Sequence, residues 1–289
     1  MRELGHRVAL RVTWDGTPAQ LMIALHARRS HDSFARFRAA FPDSPLVLVL
    51  TGTDLYRDIQ FDADARRSLQ LADRLVVLQE MGLRELSPAL RRKTSVIYQS
   101  ARQPARGVPL KSCFEVVVSG HLREEKDPFR AAAALHSLPG DSRIRITHVG
   151  GAMTNAMARE ARSWMRREPR YRWLGERPHW ESMRLIARSR VMVISSRMEG
   201  GANVVCEALA ARVPVIASRI SGNIGMLGRG YSGYFQTGNE RGLAQVLART
   251  EANPMFLRKL QGQVAQRRHL VHPRREKDAL ARLIAEMGC

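Results

Sequence analysis

The sequence predicts an α/β fold of two doubly wound units. In its first part, short apolar, β-branched runs alternate with helix-compatible segments, which implies parallel strands joined by crossovers. The alternation lapses over 99–112 (QSARQPARGVPLKS), a stretch with Pro, Gly and charge that reads as a linker, and then restarts. A length of 289 residues also exceeds the usual single-domain core. The expected division is 1–107, 108–270, and a C-terminal helix over 271–289 that packs back toward the first unit.

In the first unit, strands are expected at 7–13 (RVALRVT), 21–26, 46–51, 74–78 and 94–98. Helix 30–41 (SHDSFARFRAAF) opens on Ser30 as a cap candidate. The opening MRELG reads as a helix end stopped by Gly5, so a first strand, its loop and most of a helix are expected upstream. In the second unit, strands are expected at 115–119, 143–149, 171–174, 191–195, 213–217 and 234–236.

The formal charge is +20, carried by 42 Arg and five Lys. Scattered arginines fit an Arg-rich proteome as well as an anionic partner, and they make any lysine at a motif position more informative. A nucleic-acid binder would want aromatic-lined basic grooves or a binding motif, and the sequence has neither. Cys113, Cys206 and Cys289 are odd in number and form no C-x-x-C, which fits a reducing cytoplasm. No run of about 18 apolar residues marks a membrane span, and no secretory leader pattern precedes the first strand.

The most informative stretch is RMEGGANVVCEALAARVPVIAS, residues 197–218. It lies at the carboxyl end of an expected strand, where ligands sit in open α/β sheets. Gly200 and Gly201 allow close backbone approach. The helix opening at Ala202, Asn203 and Val204 offers free N–H groups to a phosphate. Glu199 and Glu207 are suited to sugar hydroxyls, since a carboxylate accepts several hydrogen bonds. Either glutamate alone reads as a cap or a surface residue; both together, across Gly-Gly, read as a site.

This E-x7-E pattern, followed by a small-residue helix and Pro-Val-Ile-Ala-Ser, resembles the donor signature of family-4-like glycosyltransferases with the GT-B fold. The resemblance implies that Glu199 lies near the donor hexose and Glu207 on the ribose. It also implies a G-R-L-x-x-x-K stretch that grips the donor diphosphate. Here that stretch is Gly120-His121-Leu122-Arg123-Glu124-Glu125-Lys126. Lys126 fits; His121 replaces the arginine, so either His121 or Arg123 supplies the second cation. Lys126 and Glu199 are therefore the catalytic candidates. Trp173 ends a strand where related enzymes hold the nucleobase, and equally suits the core. Ser221–Gly225 reads as a Gly-rich turn that could close on the donor.

On the acceptor side, Thr51-Gly52-Thr53-Asp54 ends one strand, and His26, Arg28 and Arg29 follow another as a compact anion site. Asp54 is the one nearby base candidate. The combination of LHARRS, TGTDLYRDI and GHLREEKDP resembles the selenosugar synthase of the selenoneine pathway, in which a nucleotide sugar meets selenophosphate. The resemblance lacks that family's first strand and Gly-rich loop. Selenophosphate needs cationic positioning more than a strong base; a glycosyltransferase acting on a lipid or glycan hydroxyl would want the base. No cofactor is expected and no metal. Asp62-Ala63-Asp64 is the sole D-x-D and falls in an expected helix, where it reads as solvated.

Overall fold

The computed structural model describes residues 1–288, and Cys289 lies outside them. The chain forms two compact units. The first takes residues 1–100, 199–201 and the segment from Pro273 onward; the second takes 101–198 and 202–272.

The first unit is built on four parallel strands, β1 (Met22–Leu25), β2 (Leu46–Leu50), β3 (Arg74–Val77) and β4 (Thr94–Val96), in the order β1-β2-β3-β4. The run Leu-Val-Leu-Val-Leu of β2 is apolar on both faces because both are covered. Leu46, Leu48 and Leu50 pack with Phe34 and Phe37 of helix His31–Ala40 and with Leu69 of helix Ala63–Leu71. On the opposite face Val47, Val76 and Ile97 meet Leu283 of helix Pro273–Ala285. The last helix thus supplies one wall of the first unit's core. Ser30 does not cap helix His31–Ala40; its hydroxyl donates to the Leu25 carbonyl at 2.6 Å.

Residues 7–13 are not a strand. Leu10 is 77% and Val12 102% exposed, and no ladder includes them. Alternation alone does not make a strand where no neighbour offers a paired edge and an apolar face. The segment is instead fastened by Trp14, whose ring stands edge-on to Phe37 at 5.4 Å and whose amide donates to Ser33 Oγ at 3.0 Å. The opening turn Arg2–Leu4 does end on Gly5, in the left-handed region at φ 89°.

The second unit contains β5 (Phe114–Ser119), β6 (Ile144–Val149), β7 (Tyr171–Trp173), β8 (Val191–Ile194), β9 (Val215–Ser218) and β10 (Tyr234–Phe235). All are parallel, in the order β10-β9-β8-β5-β6-β7. The chain moves to one side of β5 for β6 and β7, then crosses to the other side for β8 to β10. That reversal opens a crevice between the carboxyl ends of β5 and β8. Val116, Val118, Ile146, Val191 and Val193 fill the core with Leu135 and Leu247. The linker is shorter than its composition suggests. Ala101 N donates to Val271 O at 3.1 Å, and a Cβ on Gly107 would stand 2.5 Å from the Ala187 carbonyl carbon. The division therefore falls at Ser100, not near residue 107. No helix among the described residues is long and apolar enough to cross a membrane.

Leu283, 3% exposed, is the test of the wall made by the last helix. Leu283→Ala is expected to destabilise the first unit by about 2–4 kcal/mol, the usual cost of an internal cavity. Urea unfolding followed by a probe in that unit, such as Trp14 fluorescence, measures it.

Candidate active site

In the second unit, the end of β5 turns at Gly120, whose φ is 156°. It meets Gly150 at the end of β6, also at positive φ; a Cβ there would lie 2.0 Å from the Gly120 oxygen. The close approach requires glycine at Gly150, and the positive φ favours it at Gly120, where a Cβ would meet no atom within 4 Å. Beneath them lies a buried relay. His148 Nε2 donates to the Gly120 oxygen at 3.2 Å, and Nδ1 accepts the Tyr171 hydroxyl at 2.9 Å.

His121 follows on the surface. Its Nδ1 accepts the Gly151 amide at 3.1 Å, so a neutral ring carries its proton on Nε2 and presents a donor outward. Arg123 is exposed and has no side-chain partner among the described residues. The turn Glu124–Lys126 then closes on Asp127, which sits at φ 45°. Ser195, at the end of β8, braces this turn: its hydroxyl lies 3.1 Å from the Lys126 oxygen and 2.9 Å from that of Asp127. Arg197 N donates to Glu125 O at 2.8 Å.

Gly120, His121, Lys126, His148, Ser195 and Val204 line one small pocket at this crevice. Val204 belongs to helix Asn203–Ala211, whose N-cap, Ala202, has no side chain to cap with. Val205 N turns back to the Ala202 oxygen at 2.9 Å, which leaves the amides of Asn203 and Val204 for a ligand. The structure thus gathers Lys126, His121 and a helix N-terminus around one point. Among the described residues no group of three or more His, Cys, Asp or Glu side chains converges to hold a metal ion.

Glu207, 5% exposed, sits in that helix. Its Oε1 accepts His179 Nε2 at 2.9 Å and Asn203 Nδ2 at 3.1 Å, and Oε2 has no partner among the described residues. His179 is a site residue that sequence reasoning missed, because nothing in the local pattern links it to Glu207. Ser195 and His148 were missed likewise; a histidine inside the apolar run of β6 was the available signal. Trp173 takes the core position: it packs on the central cluster, and its indole N–H holds the Gly150 oxygen at 2.8 Å. Ser221–Gly225 is not a turn but the start of helix Ser221–Leu227. There Asn223, fully buried, donates to Ser218 at 2.9 Å, and the Ser218 hydroxyl donates to Ser196 O at 2.5 Å.

Glu199, Gly200 and Gly201 group with the first unit. A Cβ on Gly200 would stand 2.4 Å from the Thr51 carbonyl carbon, and one on Gly201 would stand 2.5 Å from Leu78 Cβ. Gly52 offers the complementary surface, with its own Cβ position 3.1 Å from Gly200 N. The two glycines thus serve a contact of chain on chain, where the sequence pointed to ligand approach.

In the same unit, Asp54 is fully buried. Its Oδ2 accepts the Ala27 amide at 2.8 Å; its Oδ1 accepts the Thr51 amide at 2.8 Å and the Thr51 hydroxyl at 2.7 Å. It staples the loops after β1 and β2. His26, at φ 74°, accepts the Arg29 amide on Nδ1 at 3.3 Å and donates from Nε2 to Thr53 Oγ1 at 2.9 Å. Burial, chiefly, holds its pKa below the ordinary histidine value. Arg28 is neutralised by Asp58 at 3.0 Å, which also binds Arg57 at 2.9 Å. Burial opposes the ionised Asp58 carboxyl, but both arginines outweigh it and keep its pKa low. Arg29 is exposed with no side-chain ion pair among the described residues.

The comparisons with known proteins bear on this geometry. The family described as "Glycosyl transferases group 1" matches residues 105–268, more than half of the chain. The chain belongs to the group 1 glycosyl transferases. No curated protein matches it. Solved structures share the fold of this glycosyl transferase. HepE of Anabaena, solved with UDP and glucose, is 18% identical with a TM-score of 0.74, over 92% of this chain and 78% of that one. Sucrose-phosphate synthase from Thermosynechococcus elongatus is 18% identical with a TM-score of 0.75, over 93% and 73%. A UDP-forming α,α-trehalose-phosphate synthase from Burkholderia vietnamiensis is 13% identical with a TM-score of 0.74, over 92% and 71%. The fold is GT-B.

Two predictions follow from contacts in these loops. Gly200→Ala forces backbone against the Thr51 carbonyl and is expected to lower the melting temperature by several degrees, roughly the effect of 1–3 kcal/mol; Ser at the exposed Gly140 is expected to change nothing. Burial pushes His148 down to about 4, with the Gly120 carbonyl partly opposing. The neutral ring is the folded form, so its stability is complete above the ordinary histidine value of about 6.5 and is lost as pH falls toward about 4. At about 1.4 kcal/mol per pH unit this amounts to a few kcal/mol. His148→Gln is expected to flatten the stability–pH slope across that window in urea titrations.

Proposed function

We propose that the enzyme is a hexosyltransferase that takes a UDP-linked sugar and hands the hexose to selenophosphate, without a metal, to form a selenosugar. The donor half rests on the crevice between β5 and β8. Lys126, His121 and the N-terminus of helix Asn203–Ala211, with the Asn203 and Val204 amides open, line the pocket there. These groups suit a diphosphate and the charge it gains on leaving. The free Oε2 of Glu207 suits a ribose hydroxyl, with Oε1 fixed by His179 and Asn203. Glu199, on the adjoining loop, is assigned to the hexose. That HepE was solved with UDP and that the trehalose-phosphate synthase is UDP-forming supports the choice of nucleotide.

The acceptor half rests on one observation: Asp54 is fully buried and bound to its own chain. Each of its oxygens already accepts from the chain, and Asp58 is bound to two arginines. His26 has both nitrogens engaged. A hydroxyl acceptor would need a base that these groups do not offer. An acceptor that arrives ionised does not, and Arg29 offers the charge to place it. In the reaction, a selenium lone pair forms the bond to C1 of the hexose while the C1–O bond to UDP breaks. Water must then cleave the Se–P bond, giving phosphate and the selenosugar.

The test is a mass-spectrometric assay of several UDP sugars in EDTA, with and without selenophosphate. UDP release that requires selenophosphate and yields a C1–Se product is expected; release with a hydroxyl acceptor alone defeats the acceptor assignment. Lys126→Ala is expected to lower turnover at saturating donor by about 10²-fold, as loss of a preorganised charge does.

A further inference from the structure

A second basic cavity lies at the opposite ends of the strands. It has a volume of about 530 Å³ and is walled by the linker, the segments leading into β8 and β9, and helix Pro254–Arg267. Three arginines line it: Arg106 from the linker, Arg190 before β8 and Arg212 before β9. No Asp or Glu is among the lining residues. None of the three guanidiniums has an ion pair or hydrogen-bond partner among the described residues. Nearby arginines do: Arg188 binds Glu115 at 2.7 Å, and Arg267 binds the Gly225 oxygen at 2.6 Å.

The walls are held open and firm. Gly262 lies within helix Pro254–Arg267, where a glycine costs about 1 kcal/mol relative to alanine, and a Cβ there would find no atom within 4 Å. A larger residue would fill the cavity, not improve the packing. Gly107 is pressed against Ala187, which fixes the linker wall. Arg212 closes helix Asn203–Ala211 at φ 61°, a position where glycine is the less strained choice.

We propose that this cavity binds a small, phosphate-rich anion, at a site separate from the donor pocket. Three arginines around one cavity, with no acidic residue among the lining, match several phosphate groups, each able to take paired N–H donors. No aromatic side chain lines the cavity, so the stacking that single-stranded nucleic acid would use is missing. The four residues of β8 set it roughly 13 Å from the donor crevice, at about 3.3 Å per residue.

The test is calorimetry of the full chain with sodium tripolyphosphate at about 150 mM salt, a screening level at which exposed charges count for little. One variant carries Arg106→Gln, Arg190→Gln and Arg212→Gly together, the last suited to its backbone. Comparison variants are Arg145→Gln, an exposed arginine on β6, and Lys126→Ala in the donor pocket. With excess UDP present to fill the donor pocket, the expected result is one tripolyphosphate bound per chain, weakened about tenfold or more in the triple variant, the scale of lost charge-assisted hydrogen bonds. Binding within about twofold of the parent is expected in both comparison variants. Retained binding in the triple variant with loss in Lys126→Ala would place the anion in the donor pocket and overturn the proposal. Equal loss in Arg145→Gln, or no binding by the parent chain, would overturn it too. So would displacement by random DNA with a steep salt slope, since that reports surface charge alone. Circular dichroism confirms that each variant is folded.

Discussion

Backbone meeting backbone, with no side chain between, is the constraint on which the loops of each unit depend. In the second unit Gly150 faces the Gly120 oxygen; in the first, Gly200 faces Thr51 and Gly52. Any Cβ at these points would enter another residue's peptide group. The contacts bring carbonyls and amides close together out of water, and each must then find a partner. His148 supplies one for Gly120, Ser195 braces Lys126 and Asp127, and Trp173 holds Gly150. The polar side chains buried near the strand ends are accounted for largely by these peptide groups.

This separates residues that brace the strand-end loops from cations left exposed beside them. Asp54, His148, Ser195 and Asn223 are buried and engaged with the chain itself. His121, Arg123 and Arg29 are exposed, as a group that meets a substrate must be. Glu207 stands between the two: one oxygen is fixed by the protein and the other is open. Such a split suits a ligand contact that must be both placed and available.

Much of the fold was legible in the sequence because parallel strands buried on both faces read as apolar runs, as at β2, β5 and β8. The run at 7–13 has the same alternation without a neighbour, and pairing cannot be read from one segment. Ser221–Gly225 misled because glycine usually marks a turn; here Gly222 and Gly225 are buried in a helix that packs closely. The Lys126 stretch was legible through the family resemblance and the helix after Ala202 through its own pattern, and both line one pocket. His179 was not, since its tie to Glu207 crosses from another helix. The role of Asp54 was not legible either: a carboxylate at a strand end looks the same whether it faces a substrate or three donors of its own chain.

The first unit is discontinuous in sequence, and that bears on the order in which the chain assembles. Its sheet is translated before the second unit, yet the helix that covers Val47, Val76 and Ile97 is translated after that unit. The second unit has all its strands before that helix emerges. During synthesis the early sheet therefore stands with one apolar face bare while its neighbour completes. Nascent chains are most exposed to aggregation, and most in need of chaperone cover, during that interval.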